Sequence, residues 1–250
     1  MTTVSIVIPC YNEQDGLSGL LTALDETRRT LAPAYQMDVV FVDDGSQDRT
    51  AERLQDACRG QAHTTLIRHP INRGLGAALR TGFAHATGEL VATVDSDCTY
   101  DPREVAQMLS LLEQGADLVV ASPYHPQGRV QHVPWHRQLL SRNLSRLYGW
   151  VVDPRISTYT SLFRLYRSPV LRSVTFQTDG FLAMAEILVN ARLQGYRVIE
   201  HPTRLVARQA GASKAVIPTL VMEHLKFLAR LVWRKLGPSA VSQPKSARRV

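Results

Sequence analysis

What most constrains this chain is an alternation of two hydrophobic periods. Strand-like runs at about 4–9, 37–43, 64–68, 89–95 and 117–122 are separated by helix-period patterns at about 15–31, 49–59, 75–87 and 102–114. Strand and helix in turn predict βαβ units and therefore an α/β domain on a mainly parallel sheet flanked by helices. In such open sheets ligands bind beyond the carboxyl ends of the strands, at the switch point in strand order. The polar motifs of the first half fall at those ends.

The second half is less regular. Residues 123–135, rich in Pro, His, Gln and Gly, read as a loop, and a helix follows from about Gln138 to Val152. Next come a strand-like run at 161–166, a helix at about 181–194, a short strand pair around Val198 and Leu205, and a last helix. The polar stretch 237–250 reads as a mobile tail outside any catalytic part.

The 250 residues are 44% hydrophobic and 20% charged, which excludes a disordered or collagen-like chain and suffices for one large core. The net charge of +7 hides a division. Residues 1–125 carry 17 acidic and 9 basic side chains, whereas 126–250 carry 20 basic and 5 acidic. An acidic half argues against nucleic-acid coating, and a basic half suits a lipid phosphate or a membrane surface. Cys10, Cys58 and Cys98 are odd in number and lack zinc spacing, so a reducing cytoplasmic setting is expected. The first residues enter a strand directly, without the pattern of a signal peptide.

Chemistry concentrates at four places. After the first strand stand Pro9-Cys10-Tyr11-Asn12-Glu13, and after the second Asp43-Asp44-Gly45-Ser46, a rim able to stack and hydrogen-bond a nucleobase. Adjacent Asp43 and Asp44 raise each other's ionisation cost unless donors or a cation compensate, which marks them as functional. Asp48 and Thr50 read equally as helix-capping or ligand groups, and Gly45 as a turn residue. Asn72-Arg73-Gly74-Leu75-Gly76 opens a helix with two glycines suited to close backbone approach, but it lacks the third glycine of a dinucleotide fingerprint. The fourth strand ends in Asp95-Ser96-Asp97, two carboxylates suited to Mg²⁺ or Mn²⁺ completed by substrate phosphates.

Taken in order, Val-Ser-Ile-Val-Ile-Pro-Cys-Tyr-Asn-Glu at 4–13, Val-Asp-Asp-Gly-Ser at 42–46, Asn-Arg-Gly-Leu-Gly at 72–76 and Asp-Ser-Asp at 95–97 resemble the inverting glycosyltransferase family 2, with its Rossmann-like GT-A fold. The segment from Arg208 through Gly211 to Ser213 and Lys214 is similar to the R-x-x-G-x-S-K loop of the dolichol-phosphate mannose synthase branch. The resemblance covers about residues 4–215. It implies that Pro9, Tyr11, Glu13, Asp43 and Asp44 line a nucleotide-sugar site. It also implies that Asp95 and Asp97 flank the diphosphate and its Mg²⁺ or Mn²⁺, and that Arg208, Ser213 and Lys214 meet phosphates. The implied donor is GDP-mannose or a UDP-hexose, and the implied acceptor a polyprenyl phosphate at the cytoplasmic face of a membrane. Cys98-Thr99-Tyr100 stands where the branch carries Leu-Gln-His, and Ala121-Ser122-Pro123 where it carries Gly-Ser-Arg. Arg129, Arg137 or Arg142 is then expected to serve the acceptor phosphate.

Breaking a sugar–diphosphate bond builds negative charge on the departing nucleotide, which a cation with Arg208 and Lys214 would stabilise. A phosphate acceptor is already ionised and needs positioning, whereas a glycan or glycolipid hydroxyl needs a base such as Asp97 or Asp95. Outside enzymes, the rival reading is a non-catalytic nucleotide-sugar binder. Finally, Ile217, Leu220, Val221, Leu225, Leu228, Leu231 and Val232 recur at helical spacing opposite Glu223, Lys226, Arg230 and Arg234. Crossing a bilayer returns only about 2–5 kcal/mol from the apolar residues, against roughly 5–7 for burying Lys226 and Arg230. The expectation is a segment, 216–236, that lies in the membrane interface as a C-terminal amphipathic helix, with packing on the domain's own core as the alternative.

Overall fold

The run Val4-Ser5-Ile6-Val7-Ile8 lies inside β1 (Thr2–Cys10), and it is mostly apolar because both of its faces are covered, with the buried Ser5 Oγ accepting from the Gly88 N–H. Val7 enters one hydrophobic cluster, and Ile6 and Ile8 enter another on the opposite side, as the pleat dictates. A computed structural model describes residues 1–207 and 217–236. After β1 come α1 (Leu17–Leu31), β2 (Tyr35–Asp43), α2 (Thr50–Cys58), β3 (Thr64–Arg68), α3 (Leu75–His85), β4 (Leu90–Thr93), a 3₁₀ turn (Pro102–Glu104), α4 (Val105–Glu113) and β5 (Leu118–Ser122). These match the alternation read from sequence, with the fourth strand shorter than its apolar run.

The later elements are β6 (Arg129–Gln131), α5 (Trp135–Val151), β7 (Arg164–Arg167), α6 (Ser168–Ser173), α7 (Ala183–Leu193), β8 (Val198–Pro202), β9 (Arg204–Val206) and α8 (Ile217–Leu236). The main sheet has the order β3-β2-β1-β4-β7-β5-β8. β1 pairs in parallel with both β2 and β4, and β5 with β8, whereas β7 runs antiparallel between β4 and β5. Strand order reverses at β1: β2 and β3 lie to one side and β4 to the other. Helices α1, α2 and α4 cover one face; α3, α5, α6, α7 and α8 contribute to the cluster on the other.

Two expectations need correction. The segment read as a loop, 123–135, contains β6, and the strands around Val198 and Leu205 do not pair with each other. β8 joins the main sheet beside β5, and β9 pairs in parallel with β6 in a separate two-stranded ribbon. The reason is steric. Only Thr203 separates β8 from β9, too short a link to reverse the chain into a hairpin.

Helix α8 packs on the domain's own core, the alternative weighed for it, and leaves part of its apolar stripe exposed. His224, Leu228 and Leu231 are buried, and Leu228 and Leu231 belong to the same cluster as Tyr148 of α5. The His224 Nδ1 lies 2.7 Å from the Tyr148 hydroxyl, and Phe227 packs on the same ring. Leu225, on the expected apolar stripe, is instead 44% exposed, and Trp233 is 80% exposed. At the end of α5, the Arg155 guanidinium beside Asp153, with Arg192 of α7, holds that carboxyl down at about 2.

Burial lowers the His224 pKa to about 4, against its ordinary 6.5. The docked helix therefore holds a neutral imidazole, while an undocked helix takes up a proton below pH 6.5. Docking is fully stable above that value and weakens by up to about 1.4 kcal/mol per pH unit between pH 6.5 and 4. Hydrogen exchange of α8 is expected to accelerate between pH 7.5 and 5 beyond the intrinsic pH effect. His224→Gln, which keeps a partner for Tyr148 without titrating, is expected to flatten that response.

Candidate active site

Three neighbouring strands, β2, β1 and β4, end at one rim, and their loops carry the polar motifs. Pro9 lies past Val7↔Thr93, the last β1–β4 pair, so its missing N–H falls where the two strands have already parted. Beyond it, the loops after β1 and β2 are bound to each other through side chains. The Asn12 N–H donates to Ser46 Oγ at 2.9 Å, Asn12 Oδ1 accepts from the Gln47 N–H at 2.8 Å, and the Glu13 N–H donates to Thr50 Oγ1 at 2.8 Å. Asp48 accepts from the Thr50 N–H at 2.9 Å and from the Gln14 N–H at 3.3 Å, which identifies it as a loop-organising and capping group.

Asp43 is wholly buried, accepts from the Ser46 N–H at 3.1 Å and faces the Arg68 Nε at 3.2 Å. Asp44 turns inward instead. Its carboxylate takes the backbone N–H groups of Arg73 at 3.0 Å and Gly74 at 2.7 Å, and meets the His69 Nδ1 at 2.6 Å. The other ring nitrogen of His69 lies 2.9 Å from Thr81 Oγ1 on α3. Donors thus compensate this acidic pair, and through Asp44 they fix the Asn72–Gly76 loop. Gly45, at φ +74°, turns the chain where any Cβ would collide with the backbone of Ile71. Gly76 supplies the close approach expected of it: its N–H donates to the Asp179 carbonyl at 2.6 Å, and a Cβ would strike the Thr178 carbonyl.

Asp95 and Asp97 follow β4, both half-buried. Asp97 Oδ1 accepts from the Thr99 N–H at 3.1 Å, and Cys98 takes a left-handed conformation at φ +53° between them. Burial, reinforced by Asp97 and Asp101, pushes the Cys98 thiol up to about 11, so it stays protonated. Among the described residues no group of three or more His, Cys, Asp and Glu is assembled as a metal cage. Two hard carboxylates at a strand end still fit a divalent cation whose remaining ligands are phosphate oxygens and water.

A cleft of about 870 Å³ opens here, lined by Glu13 and Asp97 together with Arg103, Glu104, Arg129 and Arg204. Of the residues singled out from sequence, Glu13, Asp97 and Arg129 therefore meet at one cavity. Tyr11 is half-buried, and Pro9, Asp43 and Asp44 are buried beneath the rim. Arg137 is exposed on the first turn of α5 and is not part of the cleft lining, and Arg142 stacks on the Tyr124 ring at 5.1 Å. Arg208, Ser213 and Lys214 lie outside the described residues. Arg204 escapes sequence reading because a three-residue strand has no legible period.

The sequence model of glycosyl transferase family 2 matches residues 5–175. A dolichol-phosphate mannosyltransferase of Pyrococcus furiosus is 29% identical over 232 residues, 92% of this chain and 63% of that protein. An undecaprenyl-phosphate 4-deoxy-4-formamido-L-arabinose transferase of Edwardsiella ictaluri is 33% identical over 226 residues, 87% of this chain and 64% of that protein. The chain thus spans a little under two thirds of the length of these curated relatives. In fold it resembles glucosyl-3-phosphoglycerate synthase of Mycobacterium tuberculosis, solved with Mn²⁺, UDP and glucosyl-3-phosphoglycerate. The TM-score is 0.67 at 17% identity, over 94% of this chain and 80% of that one. A structure of the same synthase with Mg²⁺ and UDP matches equally, over 94% and 79%.

Asp44→Ala leaves two backbone donors and a histidine facing a void. The expected loss of stability is about 3 kcal/mol, read from urea unfolding, with Asp44→Asn intermediate.

Proposed function

The chain belongs to glycosyl transferase family 2, and from that premise we propose that it moves a mannose- or glucose-type sugar from a nucleoside-diphosphate sugar to a polyprenyl phosphate, with inversion at the anomeric carbon. One observation carries the reading: at the switch point of the sheet, the loops after β1 and β4 bring Glu13 and Asp97 to one cleft, with Arg129 of β6 on its wall. The names of the relatives, both polyprenyl- or dolichol-phosphate transferases, support the acceptor class.

In this mechanism Tyr11 and Glu13 bind the nucleoside of GDP-mannose or a UDP-hexose, over a rim shaped by Pro9, Asp43 and Asp44. Asp95 and Asp97 would hold Mg²⁺ or Mn²⁺, which supplies charge neutralisation at the diphosphate. Arg208 and Lys214 add positive charge beside the leaving nucleotide, with the Ser213 hydroxyl as a hydrogen-bond donor to a phosphate oxygen. The acceptor phosphate attacks as an anion. The protein's task is therefore alignment rather than deprotonation.

No helix among the described residues is long and apolar enough to cross a membrane. The acceptor's membrane is met at its surface. All three tryptophans are exposed on two adjoining helices, Trp135 and Trp150 on α5 and Trp233 on α8, at 74%, 83% and 80%. Helix α5 contains no acidic residue, and α8 contains only Glu223, against exposed Arg137, Arg142, Arg146, Lys226, Arg230, Arg234 and Lys235. Aromatic rings beside cations suit an anionic interface, peripheral and on the cytoplasmic side.

The direct test is transfer from labelled GDP-mannose, UDP-glucose and other UDP-hexoses to a polyprenyl phosphate. One donor is expected to give a lipid-linked product, and chelation is expected to abolish it. Asp97→Ala is expected to cut kcat by at least about 100-fold while the unfolding midpoint stays unchanged. A product formed at full rate with chelator present would remove the cation from the mechanism. In sedimentation with vesicles containing phosphatidylglycerol, the chain is expected to bind, to release as salt rises, and to bind several-fold less after Trp150→Ala with Trp233→Ala.

A further inference from the structure

Most of the charged groups lining the cleft are accounted for by their neighbours. Arg103 is bound to Asp101 and to Glu26, and Glu104 lies 3.3 Å from His201. Arg129 and Arg204 differ. They stand directly opposite each other in the β6–β9 ribbon, both are exposed, and both line the cleft. Residues opposed in a ladder project on the same face, so two guanidinium groups share one small area. Among the described residues neither is paired with a carboxylate. Like charges held side by side are destabilising without a counter-charge, and the scaffold that holds them is well braced. The Arg129 N–H donates to the Thr203 carbonyl at 2.9 Å and the Ala207 N–H to the Gln131 carbonyl at 3.0 Å, while the Val206 N–H donates to the Thr99 carbonyl at 3.0 Å. The last bond ties the ribbon to the loop that carries Asp97.

We infer that Arg129 and Arg204 together form an anion subsite that takes the phosphate monoester of the acceptor. The inference deepens the proposed function and rests on it for the identity of the anion. Two forked cations match a phosphate dianion in charge and in geometry. Connectivity selects the acceptor over the donor. Ribbon strand β6 leads within four residues into α5, which bears two of the exposed tryptophans and packs on α8, which bears the third. A lipid phosphate arriving from that surface meets the ribbon, whereas Asp95 and Asp97 serve the diphosphate.

The test is equilibrium binding to the full chain without donor, using farnesyl phosphate, inorganic phosphate and, separately, UDP and GDP as probes. Arg129→Gln and Arg204→Gln are each expected to weaken farnesyl phosphate by about 10-fold or more and to leave the nucleotide that binds within about 2-fold. Arg204→Lys is expected to recover part of the loss. Both side chains are exposed, so unfolding midpoints serve as the check that the variants fold. Unchanged farnesyl phosphate affinity in both variants overturns the subsite, and so does a loss that falls on the nucleotide instead. Arginine-dependent binding of inorganic phosphate by a chain that ignores farnesyl phosphate upholds the anion subsite and overturns the lipid acceptor on which its assignment rests.

Discussion

The parallel hydrogen bonding of β1 to β2 on one edge and β4 on the other is the constraint on which the rest depends. It points three carboxyl termini the same way, and it makes β1 the place where strand order reverses. Chain leaving β1 and β2 goes to one side, and chain leaving β4 goes to the other, so a crevice between them is unavoidable. The polar motifs that follow these strands are hung on that crevice. The strand that makes it possible is buried on both faces, which is why Val4, Ile6, Val7 and Ile8 place apolar side chains on both of them rather than in alternation with polar ones.

A crevice between loops is useful only if the loops hold still. Here that rigidity comes from side chains that satisfy backbone groups of a neighbouring loop rather than their own. Ser46, Thr50 and Asp48 bind the 12–14 segment, and Asp44 binds the 73–74 segment. Several polar residues of the motifs thus act beneath the site as its framework. An acidic pair that would resist joint ionisation in isolation is stabilised by donors on both members.

The first half of the fold was legible because each strand is long enough to show its period and each helix long enough to show its own. Asp95, Asp97 and Glu13 stood out in the sequence because carboxylates just past strand ends draw a functional reading, although Asp44 shows that such a group can serve the framework instead. Legibility ended where elements shrink. β6 and β9 have three residues each, and nothing in Arg129-Val130-Gln131 or Arg204-Leu205-Val206 announces that they are partners. Arg129 was singled out as one of three arginines in the segment after β5, whereas Arg204 required the register. α6 escaped for the same reason, at six residues. The inward turn of Asp44 was hidden too, since adjacent carboxylates look alike until the pleat and the turn assign them opposite directions.

The division of charge along the chain acquires a spatial meaning in this fold. Acidic residues from the first half line the cleft, and basic residues from the second half stand on the ribbon and the outer faces of α5 and α8. Helix α8 shows how one element can serve both the core and that outer face. Its apolar arc is wider than one contact can cover, so His224, Leu228 and Leu231 dock on Tyr148 and its neighbours while Met222, Leu225, Val232 and Trp233 are left outward. Burying the outward arc against a second protein face would also bury Lys226 and Arg230 beside it, a desolvation cost without a carboxylate to offset it. A lipid surface accepts the same geometry without that cost, because rings sink to the headgroup level while lysine and arginine extend their charges to the phosphates above. The same physics that makes the helix too charged to span a bilayer therefore suits it to lie on one.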